Sequence, residues 1–235
     1  MKWICLAILA LGTAADAECR QALALGLDIS GSVDAREYRL QLDGLAAALM
    51  SDEVQSAFFA IRSSHVDVAV YEWSGQQSTR ITVPWTEVTA PDALAGIATR
   101  LSQARRPAAD TTTALGAAMT TGATLLAERD CWRRVLDLSG DGISNTGPRP
   151  RDIRLSDSEL TINGLVVAAE GASQADRSPV AAHELRRYFE AEVIRGPHSF
   201  VETAIGFENY SNAIKRKLLR ELQVLVIGDA GRTDQ

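Results

Sequence analysis

The stretch ALGLDISGSVD, residues Ala24–Asp34, joins an apolar run to a loop that carries oxygen-bearing side chains. The run begins near Ala22 and is almost continuously apolar, as is typical of a strand buried on both faces of a parallel sheet. It ends at Asp28, and Ser30 and Ser32 follow with a glycine between them. These three polar side chains are therefore predicted to lie where a buried strand gives way to a loop.

The rest of the chain alternates between strand-like and helix-like segments, which predicts one α/β domain with right-handed crossovers. The predicted fold is a doubly wound, mostly parallel sheet flanked by helices, with one antiparallel edge strand. Strands are expected at 22–29, 66–73, 80–83, 135–139, 161–167 and 200–204. Helices are expected at 35–50, 91–104, 114–128, 181–192 and 209–222, the first of them opened by a capping box of Asp34 and Glu37. The strand 80–83 ends before Pro84, which favours an edge position.

Two further loops carry the same kind of side chain. Asp141 follows the predicted strand in VLDLSGDG, and three threonines, Thr111, Thr112 and Thr113, precede a helix in PAADTTTALGAAM. In doubly wound sheets ligands bind beyond the carboxyl ends of the strands. Carboxylate and hydroxyl oxygens are hard ligands, which suit Mg²⁺, or alternatively Mn²⁺ or Ca²⁺, and not zinc.

These three motifs, in this order, resemble the metal-ion-dependent adhesion site of the von Willebrand factor A (vWA) domain. DISGS resembles the family's Asp-x-Ser-x-Ser signature, TALGAAM its threonine loop and SGDG its last aspartate loop. The similarity extends over nearly all of residues 22–222. Phrases such as VPWTEV and RRVLDLSGDG also resemble a subfamily of secreted bacterial vWA proteins to which no function is assigned.

The resemblance implies a role for each site residue. Ser30 and Ser32 would bind the metal directly through their hydroxyls, and Asp28 and Asp141 would hold it partly through water. Thr113 would supply the third hydroxyl, with Thr111 and Thr112 as alternatives. The family also implies that the last coordination position is filled by an Asp or Glu carboxylate of a protein partner.

The amino terminus is predicted to be a signal peptide, residues 1–17, which leaves residues 18–235 as a single domain. Lys2 precedes a short apolar run, and Ala15-Asp16-Ala17 fits a small-x-small cleavage site. The protein is therefore expected to be exported, to the periplasm or the medium, with no membrane span. The formal net charge of −6 disfavours nucleic acid as a partner.

Export would leave two cysteines, Cys19 and Cys131, in an oxidising compartment. If Asp28 and Asp141 end adjacent parallel strands, both cysteines lie near the opposite edge, at nearly equal distances from their aspartates, and a disulfide is expected. Zinc is disfavoured because no paired histidines accompany the cysteines. The three histidines are interpreted as surface or packing residues, and KRKLLR, residues 215–220, as a solvated helix face.

The function predicted from the sequence is metal-dependent capture of a protein partner, without catalysis. No histidine, lysine or additional carboxylate is placed near the motif as a general base, and neither a G-x-S-x-G elbow nor a P-loop occurs. Two alternatives stay open at this point. One is a Mg²⁺-dependent hydrolase, and the other is a structural vWA domain whose metal only stabilises the fold.

Overall fold

The computed structural model describes residues 17–168 and 179–229. The predicted signal peptide up to residue 16 lies outside these residues, as does most of EGASQADRSP, residues 170–179, whose composition predicts a surface loop. The described chain forms six strands and six α-helices around one sheet. In chain order they are β1 (Glu18–Asp28), α1 (Ala35–Leu49), α2 (Asp52–Phe58), β2 (Ser64–Trp73), β3 (Thr79–Val88), α3 (Pro91–Gln103), α4 (Leu115–Ala127), β4 (Arg133–Gly140), β5 (Thr161–Ala168), α5 (Pro179–Glu192), β6 (Val201–Ile205) and α6 (Tyr210–Asp229).

The sheet has the strand order β3-β2-β1-β4-β5-β6, and only the β2–β3 pair is antiparallel. The predicted fold class, including the antiparallel edge strand, is confirmed. After β1, the chain adds β2 and β3 on one side of the sheet. It then crosses back and adds β4, β5 and β6 on the other side of β1. The carboxyl ends of β1 and β4 therefore flank the switch point at which ligands bind in such sheets.

Hydrophobic layers cover both faces of the sheet. Leu23, Leu25 and Leu27 of β1 are buried against α1, α3 and α6, whereas Ala22 and Ala24 belong to the cluster formed with α4 and α5. The predicted inward faces of α1 and α4 are confirmed. Their buried residues include Tyr38, Leu42, Leu45 and Leu49 in α1, and Leu115, Met119 and Leu126 in α4.

Three local predictions were wrong. The sequence pattern did not predict helix α2, because its seven residues are too few for a clear helical period. Strand β3 continues past Pro84 to Val88. Pro84 lies beside the register irregularities of the β2–β3 pairing, on the outer strand, where the missing N–H costs no ladder hydrogen bond.

The third wrong prediction concerns the basic segment of α6. Lys217 is not solvated but fully buried, with Nζ 2.7 Å from Asp137 Oδ2 and 2.6 Å from Glu221 Oε1. Asn163 donates a further hydrogen bond of 2.7 Å to Glu221 Oε1. Burial raises the pKa of Asp137 to about 7, against the opposing effect of the Lys217 ammonium. This ion-pair group joins α6 to β4 and β5 beneath the helix.

Cys19 and Cys131 form a disulfide, with their Cα atoms 4.7 Å apart. It lies at the amino ends of the two central strands, β1 and β4. The Trp132 N–H donates to the Cys19 carbonyl between the same two chain segments, at 3.1 Å. The β1–β4 register pairs Gln21 with Arg133, an offset equal to the 112-residue separation of the two cysteines. The register alone therefore brings the two cysteines opposite one another.

We expect Lys217→Ala to lower the free energy of unfolding by about 3–5 kcal/mol, because it leaves two buried carboxylates without their cation. Urea denaturation of purified protein measures the loss. Lys215→Ala is the matched control, since Lys215 lies on the same helix as Lys217 but makes a solvent-exposed ion pair with Glu53 of α2. An equal loss for the two variants would contradict the importance of the buried group.

Mass spectrometry of a non-reduced digest should contain a peptide in which Cys19 and Cys131 are linked. Reduction should remove it and lower the urea midpoint, because loop closure over about 100 residues is worth up to roughly 4.7 kcal/mol in the chain-entropy model. Alkylation of both thiols without prior reduction would contradict the disulfide.

Candidate metal centre

The first loop of the site begins where β1 ends. Asp28 is 1% exposed, and its Oδ1 accepts the backbone N–H of Ser30 at 2.8 Å. Its Oδ2 is buried and receives no hydrogen bond from the residues that the structure describes. Burial, with a smaller contribution from the nearby charge of Asp141, raises the pKa of Asp28 to about 7. A buried carboxylate oxygen without a donor is the kind of group that a cation stabilises.

Hydroxyl groups from two loops continue the network. Ser30 Oγ lies 3.3 Å from Ser32 Oγ and 3.3 Å from Thr113 Oγ1, and Ser32 Oγ donates to Asp141 Oδ1 at 2.7 Å. The five oxygen-bearing side chains proposed from the sequence thus converge at the carboxyl edge of β1 and β4. Neighbouring ligands of an octahedral Mg²⁺ lie about 3 Å apart, so the spacing of these hydroxyls fits such an ion.

The three threonines have different surroundings. Thr113 is buried and faces Ser30, whereas the Thr112 hydroxyl donates to Asp110 Oδ1 at 2.9 Å. Thr111 is exposed, and its carbonyl accepts the Gly31 N–H at 3.4 Å. Of the three, Thr113 is the one whose hydroxyl contacts Ser30. Asp110 instead caps the threonine loop, because its Oδ1 accepts both the N–H and the hydroxyl of Thr112.

Four residues outside the predicted motifs hold these loops in place. Arg106 donates from Nη2 to the carbonyls of Ile29, Ser30 and Val33, at 2.8–3.3 Å. Gln41 Nε2 donates to the Asp28 carbonyl at 3.0 Å. Both side chains donate hydrogen bonds to backbone carbonyls of the loop, and the Ser30 carbonyl also accepts the Val33 N–H at 3.1 Å. Neither residue stands in a motif or a periodic pattern, so the sequence offered no signal for it.

The other two supporting residues fix the threonine loop against the aspartate loop. Asn145 Oδ1 accepts the Thr113 N–H at 2.9 Å, and the Ser144 hydroxyl donates to the Thr113 carbonyl at 3.2 Å. The Leu115 N–H in turn donates to Ser144 Oγ at 3.2 Å. The SN dipeptide three residues after Asp141 is typical of a turn, which is the one hint that the sequence contained.

The site contains two carboxyl groups, those of Asp28 and Asp141, with no basic side chain paired to them among the described residues. Burial raises the pKa of Asp141, while the hydrogen bond from Ser32 opposes this effect. A bound divalent cation would compensate both carboxylates and favour their charged forms.

Exposure changes across the site. Asp28, Ser30 and Thr113 are buried, whereas Ser32 is exposed and Asp141 is half-buried. An ion held by all five residues would therefore be open to solvent, or to a ligand, on the side of Ser32. Asp34 and Glu37, which lie near this side, satisfy one another in the predicted capping box, with Asp34 N donating to Glu37 Oε2 at 2.8 Å.

Comparison with known proteins agrees with the architecture. A family model described as "Protein of unknown function (DUF1194)" matches residues 18–226. No curated protein matches the chain. Among solved structures, a von Willebrand factor type A protein from Catenulispora acidiphila is similar at a TM-score of 0.60 and 13% identity, over 87% of this chain and 43% of that one.

Two other similar structures share the fold. The vWF domain of the type V pili tip protein Mfa5 from Porphyromonas gingivalis has a TM-score of 0.55 and 10% identity, over 93% of this chain and 98% of that one. Proximal thread matrix protein 1 of the mussel byssus, described with a zinc-occupied MIDAS motif, has a TM-score of 0.56 and 14% identity, over 88% and 47%. The chain spans less than half the length of the Catenulispora and mussel proteins. The fold is that of a vWA domain, as the sequence predicted.

We expect Mg²⁺ to raise the melting temperature, because an ion that binds only the folded state stabilises it by about 2.7 kcal/mol at a hundredfold excess over Kd. Differential scanning calorimetry with and without Mg²⁺ measures this shift. Asp141→Ala should fold and lose the shift, since it removes one of the two site carboxylates.

Asp92→Ala is the matched control, because it removes an exposed carboxylate in the first turn of α3 that is not part of the site. Its melting temperature should still rise with Mg²⁺. If Asp141→Ala keeps the full shift, then Asp141 does not hold the ion.

Proposed function

The chain belongs to the family of proteins of unknown function DUF1194, and we propose that it is an exported binding module that uses a divalent cation to capture a carboxylate of a protein partner. The cation is Mg²⁺ in this proposal, and Mn²⁺ or Ca²⁺ would meet the same oxygen ligands. Its ligands are Ser30, Ser32 and Thr113 directly, with Asp28 and Asp141 partly through water.

The observation that carries the proposal is the convergence of five oxygen-bearing side chains, one of which, Asp28, has a buried Oδ2 that accepts no hydrogen bond from the described residues. A network held together only by its own hydrogen bonds would leave this oxygen and the charge of Asp141 uncompensated at a cost in stability. A cation among the hydroxyls removes both costs. The mussel byssus protein, which shares this fold and is described with a zinc-occupied MIDAS motif, supports metal binding.

Capture of an external carboxylate follows from the chemistry of the ligands. The direct ligands would be three neutral hydroxyls, while the two carboxylates act partly through water, so the ion has few anionic oxygens in direct contact and stays electrophilic. An anionic oxygen that reaches the ion from the open side near Ser32 therefore gains a strong contact. Asp and Glu are the side chains that offer such an oxygen in a protein.

A protein partner is supported by the proteins that share the fold. Two similar structures are those of a pilus adhesin of Lactobacillus rhamnosus GG and a pili tip protein of Porphyromonas gingivalis. Both are described as pilus components, and one of them as an adhesin. The net charge of −6 disfavours nucleic acid.

Export is part of the proposal. The disulfide between Cys19 and Cys131 is characteristic of an oxidising compartment. Residues 1–17 have the composition of a signal peptide, and the domain proper would comprise residues 18–235. No helix among the described residues is long and apolar enough to cross a membrane.

A chelator-controlled pull-down from the exported fraction tests the function. Immobilised protein should retain a partner in Mg²⁺, release it with EDTA and retain it again when Mg²⁺ is restored. Conversion of the carboxylates of the fraction to amides should abolish retention, because the cation then lacks its anionic ligand. The Asp141→Ala column should retain nothing, and the Asp92→Ala column should behave as the wild type.

Three other outcomes would contradict the proposal. A Mg²⁺-dependent rise in melting temperature without a chelator-sensitive partner would favour a structural metal. Hydrolysis of an ester or phosphate substrate, lost in Asp141→Ala, would favour an enzyme. Retention of a partner that survives both EDTA and amidation would indicate a binding surface away from the metal.

A further inference from the structure

A second group of potential metal ligands lies at the opposite edge of the sheet, where β1, β2 and β4 begin. Cys19 is paired in register with His65 of β2, and the disulfide brings in Cys131. Asp67 follows two residues after His65 and so lies on the same face of β2. No sequence motif indicates this group, because its four members are separated by up to 112 residues and only a His-x-Asp pair is local.

The donor atoms of this group are close together and shielded from solvent. His65 Nε2 lies 3.2 Å from Asp67 Oδ1, and Cys131 Sγ lies 3.9 Å from Asp67 Oδ2. One donor atom from each of Cys19, His65 and Asp67 lies within 4.8 Å of the others. The side chain of His65 is 11% exposed and that of Asp67 is 1% exposed.

Among the described residues, neither His65 Nδ1 nor Asp67 Oδ1 makes a hydrogen bond of good geometry, although His65 Nε2 lies 3.2 Å from Oδ1. Buried polar atoms are normally paired, so each exception calls for an explanation such as an ion. The sequence alone favours a surface or packing role for His65. In the structure, however, His65 lies beside the Asp67 carboxylate and the sulfurs of the disulfide. These neighbours are potential metal ligands, which a packing role alone would not require.

Arg129 orients the carboxylate and balances its charge. Its Nε donates to Asp67 Oδ2 at 2.8 Å, and its guanidinium lies over the Trp85 ring, 5.5 Å from the centroid. This clamp on Oδ2 leaves Oδ1 directed at His65. If both sulfurs were thiolates, the three negative charges of the group would be balanced by Arg129 and one divalent cation, so that a buried site would be neutral.

We propose that reduction of the Cys19–Cys131 disulfide opens a Zn²⁺ site formed by the two thiolates, His65 and Asp67 Oδ1. Two sulfurs, one imidazole nitrogen and one carboxylate oxygen are a tetrahedral ligand set of the kind that zinc takes. The disulfide form cannot bind in this way, because its sulfurs carry no anionic lone pair of a thiolate. The redox state of the cysteines therefore decides whether the site exists.

The reduction step needs an external reductant. A phosphine attacks one sulfur, the S–S bond breaks, and water supplies the two protons of the thiols while the phosphine leaves as its oxide. Zn²⁺ then displaces the thiol protons. Bonded sulfurs lie about 2.0 Å apart, whereas two thiolates on tetrahedral zinc lie about 3.8 Å apart. Cys19 is close to the start of β1 and borders a register irregularity, so that its backbone has room for this shift.

Titration of Co²⁺ or Zn²⁺ into oxidised and phosphine-reduced protein tests the proposal. Only the reduced protein should develop the intense near-ultraviolet thiolate-to-cobalt band and the visible bands of tetrahedral Co²⁺, and Zn²⁺ should bleach them at one equivalent. An oxygen-ligand site gives no thiolate band, so metal at the Asp28–Asp141 site does not interfere. Asp141→Ala should therefore give the same thiolate spectrum as the wild type, whether or not the proposed function is correct.

Variants of the histidines separate this site from a simple pair of thiols. His65→Ala should weaken Zn²⁺ binding by more than about tenfold, because a direct ligand is worth at least as much as the outer partners of a metal site. His183→Ala, which removes an exposed histidine of α5, should bind as the wild type does. Equal affinities in the two variants would overturn the role of His65.

The melting temperature of the reduced protein shows whether the folded chain, and not an unfolded one, binds the metal. Zn²⁺ should raise the melting temperature of reduced protein and leave that of oxidised protein, measured in Asp141→Ala, unchanged. The proposal fails if reduced protein takes up no more thiolate-bound metal than oxidised protein. It also fails if the reduced protein is unfolded both with and without zinc.

Discussion

Parallel pairing between β1 and β4 is the constraint on which both edges of this molecule depend. Hydrogen bonding runs from the Gln21–Arg133 pair to the Leu27–Ser139 pair without a shift. At the carboxyl end this register sets Asp28 beside the turn that carries Asp141. At the amino end the same offset sets Cys19 opposite Cys131. A slip of one residue would turn every side chain of one strand to the other face, and it would dismantle the metal centre and the disulfide together.

Close packing of α4 against the sheet supplies the third part of the candidate centre. Tyr71 of β2 reaches across β1 and donates its hydroxyl to the Ala118 carbonyl of α4, at 2.8 Å. It can do so because Gly26 and Gly122 leave space: a Cβ at Gly26 would lie 2.6 Å from Tyr71 Cζ, and one at Gly122 would lie 2.7 Å from its hydroxyl oxygen. The height of α4 above the sheet, and with it the position of Thr113 just before the helix, follows from this contact.

Most of the fold could be predicted because its signals are local. The apolar run that ends at Asp28, the capping box at Asp34 and the repeated strand-helix alternation each reflect short-range chemistry, and together they specify a parallel sheet. The burial of Lys217 could not be predicted, since a lysine is buried only where partners from other strands meet it. The loop clamp of Arg106 and the pairing of His65 with Asp67 near the cysteines are non-local in the same sense. Sequence motifs identify the residues that could contact a ligand. The residues that support them, such as Arg106, are recognised only in the folded structure.

The two edges of the sheet are chemically different, and this difference has a physical origin. Loops that follow parallel strands begin with short polar side chains that cap and turn the backbone, so the carboxyl edge collects hydroxyls and carboxylates, which are hard ligands. The amino edge lies under the disulfide, where sulfur and imidazole meet a single carboxylate, and this set prefers a softer ion. Because the two ligand sets differ in kind, the amino edge with its thiolates would prefer Zn²⁺ to Mg²⁺. The carboxyl edge, where partner binding is proposed, would not respond to redox conditions, whereas the amino edge would. The register of β1 and β4 connects the two edges.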